Sequence, residues 1–242
     1  MSKIRLDKLL SNTGFGSRKE VKSIIRAGRL RIGDEIIYDP GYIVDIDSSD
    51  VYVDNERISY RKYYYLMMNK PAGVISATFD PDSRTVLDLV PSTYRHVSLF
   101  PVGRLDKDTE GLLLLTNDGQ LAHRLLSPKR HVPKTYYARI EGIVDHEDID
   151  TFRAGIELEP GFTTLQARLE ILGLSEDTGI SEVSVTIYEG KYHQVKRMFK
   201  AVGKRVLYLK RISMGGLQLD ESLPAGAVRE LSQAELDILM ND

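Results

Sequence analysis

A short segment in the middle of the chain concentrates the residue types that can do chemistry. Residues 103–111 read Gly-Arg-Leu-Asp-Lys-Asp-Thr-Glu-Gly, and an apolar run follows at 112–115. In an extended stretch Arg104 and Asp106 lie on the same side, because side chains alternate with period two. A carboxylate beside a guanidinium stays ionised, and an ionised aspartate can act as a nucleophile. This segment alone does not distinguish such a nucleophile from a salt-bridged surface turn.

Several common catalytic arrangements are absent from the sequence. There is no cysteine, which excludes thiolate chemistry and structural disulfides. Neither the G-x-x-x-x-G-K-[ST] nor the G-x-G-x-x-G phosphate-binding pattern occurs, and no G-x-S-x-G elbow supports a serine nucleophile. None of the five histidines has a metal-binding spacing; they are His96, His123, His131, His146 and His193. We therefore expect no metal, nucleotide or redox cofactor.

The elements around the 103–111 segment predict an α+β fold with a mainly antiparallel or mixed β-sheet. Strand candidates outnumber helix candidates and do not alternate with them regularly, which argues against a doubly wound parallel sheet. The predicted strands cover residues 63–68, 112–115, 136–140, 165–171, 183–187 and 207–212. The predicted helices cover residues 120–126, 146–154, 193–202 and 232–240. The run Asn69-Lys70-Pro71-Ala72-Gly73 is expected to end the first strand.

The first 60 residues are predicted to form a separate small module. Leucines at helical spacing begin at Leu6, and Ser17 with Glu20 has the spacing of a capping box that begins a second helix. Short strands are expected at residues 30–32, 35–38 and 51–53, with a hairpin turn at residues 33–34. We therefore predict two domains, residues 1–60 and residues 61–242.

Charge is distributed unevenly over this module. Residues 1–31 carry nine basic and two acidic side chains, whereas residues 32–60 carry one basic and eight acidic ones. The net charge of the whole chain, −2, conceals this basic cluster. Such a cluster repels itself unless it faces a polyanion, although a solvated helical surface is the alternative. The sequence has neither a membrane-length apolar run nor the apolar stretch of a signal peptide, and together with the lack of cysteine this favours a cytoplasmic protein.

The basic module resembles the S4 RNA-binding domain. The likeness covers residues 4 to about 60 and rests on the R-L-D start and on the S-R-x-x-x-x-x-I turn into the second helix. It implies that five cations contact phosphates of structured RNA. These are Arg18, Lys19, Lys22, Arg26 and Arg29.

Four later segments resemble the pseudouridine synthase family, so that the likeness spans nearly the whole chain. They are the G-R-L-D motif from Gly103 to Gly119, the N-K-P-A-G motif at residues 69–73, K-T-Y at residues 134–136, and E-G-K-Y-H-Q-V-K-R-M-F at residues 189–199. The branch is that of the S4-domain ribosomal RNA pseudouridine synthases of the small subunit (16S). Glu110 departs from the wider pattern, where a small hydroxyl residue is common, and Lys196 replaces an arginine found in other branches.

The resemblance implies a reaction and a set of site residues. Pseudouridine forms when the N1–C1′ bond of a uridine breaks, the uracil rotates, and C5 rejoins C1′, which needs no redox change and no energy source. The implied catalytic residues are Asp106 as nucleophile, Tyr136, Lys196 and Arg104. The implied RNA-binding residues of the second domain are Lys70 and Leu209.

The expected partner is ribosomal RNA, and the chain is expected to be a monomer. The sequence admits three alternatives. A synthase for large-subunit (23S) ribosomal RNA is the nearest alternative in function. A non-catalytic S4-type assembly factor would have no reason to retain Asp106, Tyr136 and Lys196 in their motifs. A nuclease or methyltransferase would need metal-ligand clusters or a glycine-rich nucleotide loop, and neither is present.

Overall fold

The computed structural model describes residues 3–241, which divide into two compact units. The first unit comprises the chain up to Tyr64 together with the later segment Pro91–Ser98, and the second comprises Tyr65–Val90 and the chain from Leu99 onward. The sequence-based boundary lay after residue 60 and did not anticipate the returning segment. Its aromatic side chains explain the return, because the ring of Tyr64 packs edge-on against the rings of Tyr94 and His96 at centroid distances of 6.1 Å.

The first unit packs two helices with short strands. Its elements are β1 (Lys3–Arg5), α1 (Leu6–Asn12), α2 (Arg18–Arg26), β2 (Leu30–Ile32), β3 (Glu35–Ile36), β4 (Ile43–Asp45), β5 (Val51–Val53) and β6 (Glu56–Arg57). A four-stranded antiparallel sheet has the order β3-β2-β5-β6, and β1 pairs with β4. The predicted capping box at Ser17 and Glu20 is confirmed. Buried aliphatic residues of both helices pack with Leu30, Val44, Val51 and Val53 of the strands to form the core of this unit.

The second unit contains the remaining strands and helices. In chain order they are β7 (Tyr65–Lys70), β8 (Phe100–Pro101), β9 (Glu110–Thr116), α3 (Gly119–Leu126), β10 (Lys134–Glu141), α4 (His146–Ala154), β11 (Glu157–Glu159), β12 (Phe162–Thr163), β13 (Arg168–Ser175), β14 (Ile180–Ile187), α5 (Gln194–Ala201), β15 (Arg205–Met214), β16 (Leu217–Gln218), β17 (Val228–Glu230) and α6 (Gln233–Asn241). Short 3-10 helices cover Val86–Leu89 and Pro128–Arg130, and a third, Ser92–Tyr94, lies in the first unit.

Nine of these strands form one large sheet. Its main path has the order β13-β14-β10-β15-β9-β7-β17, with β16 on β15 and β8 on β9. Every pairing is antiparallel except that of β9 with β15. The predicted α+β class with a mainly antiparallel or mixed sheet is therefore confirmed. Within residues 3–241 no helix is both long enough and apolar enough to cross a membrane.

The structure differs from the sequence prediction at the end of β7. Residues 69–73 were expected to break this strand, but β7 continues through Asn69 to Lys70, and all six of its side chains are buried. The reason is its pairing with β9, which extends to the pair Lys70 and Gly111. Proline at residue 71 then ends the strand, because it has no N–H to donate.

The parallel contact between β9 and β15 depends on a glycine. Gly111 has φ +99° and lies opposite Arg211, and a Cβ built on it would lie 2.2 Å from the carbonyl oxygen of Arg211. The Nε of Arg211 donates to the carbonyl oxygen of Leu112 at 2.8 Å. The two strands therefore approach closely where β9 begins, directly after the 103–111 segment.

We expect Gly111→Ala to destabilise the protein by roughly 3 kcal/mol, because it adds a backbone overlap to the cost of a positive φ. The matched control is Gly161→Ala in the β11–β12 hairpin, where φ is +80° but no atom lies within 4 Å of the added Cβ. This control should cost only about 1 kcal/mol. Urea unfolding of both variants measures the difference, and equal losses would show that the close approach contributes nothing.

Candidate active site

The loop that carries Asp106 is built around the side chain of Lys70. This loop, residues 102–109, joins β8 to β9 and is called the Asp106 loop below. The Nζ of Lys70 donates to the carbonyl oxygens of Asp106 at 3.0 Å, Lys107 at 3.4 Å and Thr109 at 2.8 Å, and also to that of Pro71 at 3.1 Å. An ammonium group has three N–H donors, so these carbonyls share them.

Lys70 is fully buried, so its ammonium group can contact only other groups of the protein. Burial disfavours the charged form and lowers the pKa of Lys70 to about 8, although the nearby carboxylates of Asp108, Asp106 and Glu110 act in the opposite direction. The prediction that Lys70 contacts RNA is not compatible with this geometry, since its ammonium lies inside the protein among backbone carbonyls. Lys70 instead fixes the backbone of the Asp106 loop.

Further hydrogen bonds hold the same loop. The hydroxyl of Ser76 donates to the carbonyl oxygen of Leu105 at 2.9 Å and accepts from its N–H at 3.0 Å. The N–H of Gly73 donates to the carbonyl oxygen of Lys107, and the N–H of Thr109 donates to that of Asp106. Both neighbours of Asp106 in the chain are therefore fixed by groups from the segment that follows β7.

The side chain of Asp106 is paired with Lys196 from the first turns of α5. The Nζ of Lys196 lies 3.0 Å from Oδ2 of Asp106 and 2.6 Å from Oδ1 of Asp108. Partial burial acts against the charge of Lys196, but its hydrogen bonds to the two aspartates outweigh that effect and raise its pKa. Asp106 is only partly exposed, whereas Asp108 is largely exposed. One cation thus orients a sheltered carboxylate and an open one.

A histidine completes the surroundings of Asp106. The Nε2 of His193 lies 3.5 Å from Oδ1 of Asp106. His193 directly precedes α5, whose buried face, Val195, Met198 and Phe199, anchors the helix in the core. The ring of Phe199 packs on that of Phe152 at a centroid distance of 4.9 Å. Packing of α5 therefore sets the position of both His193 and Lys196.

Arg104 is not the cation that pairs with Asp106, although the sequence pattern suggested that the two lie side by side. Gly103, which precedes Arg104, has φ +78°, and the N–H of Thr109 closes a turn onto the carbonyl oxygen of Asp106, so residues 102–109 form a loop and not a strand. Arg104 is exposed and forms no ion pair with any residue in the described range 3–241. The cation beside Asp106 is Lys196, which is 90 positions farther along the chain.

Tyr136 and Leu209 lie on the sheet beside the start of β9. Both are buried, and they occupy the same face of the β10–β15 pair, where Tyr136 is opposite Arg211 and Leu209 is opposite Ala138. Arg211 is in turn opposite Gly111, the second residue of β9. The sheet register therefore connects Tyr136 through β15 to the strand that follows the Asp106 loop.

The five predicted phosphate contacts all belong to α2 and the residues just after it in the first unit. Arg18, Lys19 and Arg26 are exposed, and Lys22 is half-buried. Arg29 is exposed as well, but both of its guanidinium contacts go to the carboxylate of Asp54, at 2.8 and 2.5 Å. Arg29 therefore differs from the other four in having an acidic partner within its own unit.

Sequence reasoning missed three contributors to this site. His193 had a detectable signal, because it lies three residues before Lys196 and residues at that spacing share a helix face. The structural role of Lys70 had none, since a lysine beside a proline is normally exposed. Ser76 lies outside every motif. Within residues 3–241 no three His, Asp or Glu side chains are placed to hold a metal ion.

The arrangement supports chemistry by a single carboxylate. The backbone of Asp106 is fixed by Lys70, and its side chain is oriented by Lys196 and borders His193. A partly exposed carboxylate held in this way can attack an electrophilic carbon or accept a proton.

Comparisons with known proteins show the family to which the chain belongs. The S4 domain family matches residues 4–51, and the RNA pseudouridylate synthase family matches residues 64–201, which include the Asp106 loop and Lys196. A crystal structure of a pseudouridylate synthase superposes with a TM-score of 0.67 at 35% identity and covers 98% of this chain and 99% of that one.

Three curated relatives align over almost their full lengths. An uncharacterized RNA pseudouridine synthase of Bacillus subtilis is 52% identical, with 98% of each chain covered. The ribosomal small subunit pseudouridine synthase A of Pseudomonas aeruginosa is 40% identical (96% of this chain, 99% of that one). The ribosomal large subunit pseudouridine synthase B of Bacillus subtilis is 36% identical (96% and 94%). The chain therefore belongs to the RNA pseudouridine synthase family, as an isomerase with an amino-terminal S4 domain.

Proposed function

We propose that this enzyme converts a specific uridine of small-subunit (16S) ribosomal RNA to pseudouridine in the cytoplasm, with Asp106 as the nucleophile. The observation that carries the proposal is the ion pair between Asp106 and Lys196 on a loop fixed by Lys70. The 40% identity to a small subunit synthase over 96% of the chain supports the choice of RNA.

In this mechanism Asp106 acts as the nucleophile while uracil leaves C1′ through N1 and returns to it through C5. Lys196 orients the carboxylate through the ion pair at 3.0 Å, and its hydrogen bonds to the two aspartates raise its own pKa. The electrons of the broken N1–C1′ bond stay on the uracil, which forms the new C5–C1′ bond; the proton on C5 is then released, and N1 takes up a proton from water. The overall reaction is an isomerisation, so it consumes no cofactor.

The other predicted residues have supporting roles in the proposal. Tyr136, 7% exposed, would contact the target base with the accessible part of its ring, and Leu209, 5% exposed on the same sheet face, would pack beside it. Arg104 is exposed and unpaired within the described residues, so it is available to fill the gap that a flipped uridine leaves or to bind a phosphate. The exposed cations of α2 would bind the phosphates of folded ribosomal RNA.

A second candidate is modification of large-subunit (23S) ribosomal RNA. The observation in its favour is the large subunit synthase that is 36% identical over 96% of this chain. The residues around Asp106 would catalyse the same reaction on either RNA. Only identification of the modified RNA distinguishes the two candidates.

One prediction tests both the identity of the RNA and the nucleophile. Mapping pseudouridine in cells that lack the gene should show one 16S position unmodified, restored by the wild type and by Asp108→Asn but not by Asp106→Asn. An amide cannot act as an anionic nucleophile, so Asp106→Asn should lower tritium release from C5-labelled RNA by roughly three orders of magnitude or more. Asp108 is the matched control, because it contacts the same lysine but is largely exposed.

Three results would count against the proposal. A lost site in 23S RNA would replace the small-subunit assignment by the second candidate. Restoration by Asp106→Asn would reject the nucleophile, and equal inactivity of both variants would show that the loop tolerates no amide. Thermal unfolding of the purified variants controls for folding.

Another prediction is that the first domain binds the RNA, whereas the second domain carries out the reaction. Replacing Arg18, Lys19 and Lys22 by alanine should weaken RNA binding and flatten its salt dependence by roughly one unit per lost phosphate contact. Turnover at saturating RNA should fall less than kcat/KM, because uniform binding is lost. The control is Arg153→Ala, an exposed cation that is ion-paired with Asp150. Binding isotherms at several salt concentrations measure the salt dependence of RNA affinity. An unchanged slope in the triple variant would contradict the assignment of these cations to phosphate binding.

A further inference from the structure

An exposed aromatic pair lies directly beside Asp106. The rings of Tyr192 and His193 are stacked, with centroids 3.9 Å apart and planes inclined by 17°. His193 is the ring that approaches Asp106, at 3.5 Å, and Tyr192 is the outer ring, 74% exposed. One face of Tyr192 is therefore covered by His193, while the opposite face is open to solvent.

The turn that presents these rings is held rigidly. His193 has φ 49° and ψ 33°, a left-handed conformation that costs a non-glycine residue about 1 kcal/mol or more. The buried side chain of Gln194 holds it in place, accepting from the N–H of Lys191 at 2.9 Å and donating to Glu189 at 3.0 Å. Glu189 also accepts from the N–H of Leu165 at 2.8 Å. The backbone that carries the aromatic pair is thus fixed before any ligand arrives.

Neither fold stability nor the proposed chemistry requires this open ring. A tyrosine stabilises a fold by burying its ring, and Tyr192 buries little. The nucleophile has its orienting cation in Lys196. An aromatic ring with one free face, carried by a fixed turn, is instead an arrangement by which proteins hold an unpaired base.

We propose that the open face of Tyr192 stacks on the RNA base adjacent to the reacting uridine. Extrusion of a uridine into a site leaves its neighbour without a stacking partner, and an aromatic ring can replace that partner. His193 is the positioning residue, because it holds the ring at a fixed place relative to Asp106. The inference rests on the proposed role of Asp106, which defines where the uridine reacts.

The test compares Tyr192→Leu with Tyr192→Phe in the full-length protein. Leucine keeps an apolar side chain but removes the aromatic face, whereas phenylalanine keeps the face and removes the hydroxyl. Leucine should lower kcat/KM for tritium release from ribosomal RNA by roughly five- to a hundredfold, and phenylalanine should stay within about twofold of wild type. The salt dependence of binding should be unchanged in both, because stacking involves no phosphate.

A fluorescent probe tests stacking without reference to the natural RNA. A short oligouridylate with one 2-aminopurine at its centre is titrated with Asp106→Asn protein, which binds without turnover. The base fluorescence should fall on binding, and this change should be lost with added Tyr192→Leu and kept with added Tyr192→Phe. If the quenching depends on Tyr192 while no ribosomal RNA is modified, the proposed function fails and the stacking stands.

Three outcomes would overturn the inference. One is wild-type kcat/KM and quenching in Tyr192→Leu. Another is an equal loss in the leucine and phenylalanine variants, which would assign the effect to the hydroxyl. The last is a change in salt slope of about one unit, which would indicate a phosphate contact instead.

Discussion

The buried ammonium of Lys70 donates to four backbone carbonyls, and three of them belong to the Asp106 loop. Burial lowers the pKa of Lys70 to about 8, whereas a lysine in the unfolded chain has a pKa near 10.4. Between these values the unfolded chain binds more protons, so the contribution of Lys70 to stability increases as the pH rises. The loop loses a donor over the same range, since a neutral amine has only two N–H groups. We therefore expect the loop to lose order as the pH rises through about 8, while the contribution of Lys70 to global stability increases.

Two lysines hold Asp106 in position, one at its main chain and one at its side chain. Lys70 holds its main chain, and Lys196 holds its carboxylate from a helix whose place is set by packing on the core. The close approach of β9 and β15 at Gly111 brings the sheet face that bears Tyr136 next to the same loop. The site is thus assembled from segments far apart in sequence, and each is fixed by backbone geometry before RNA binds.

Local sequence patterns predicted the elements that depend on contacts between residues close together in the chain. The strand around residues 183–187 alternates cleanly, and the capping box at Ser17 is closed by residues three apart, so both were recognised. The extent of β7 was misjudged, because only its pairing with β9 carries it to Lys70. The partner of Asp106 was likewise beyond any local pattern. The family resemblance implied only that Lys196 is catalytic, and the contacts of Ser76 arise only from the tertiary fold.

The most direct measurement is the pH dependence of turnover at saturating RNA for Lys70→Met. The wild-type rate should fall as the pH rises through about 8, and Lys70→Met should be slow throughout and lack this fall. Lys134→Met is the matched control, because burial also lowers the pKa of Lys134 to about 8 but its Nζ donates to the carbonyl oxygen of Val132. This control should keep the wild-type profile. A folded Lys70→Met enzyme with the wild-type rate and pH profile would contradict the account.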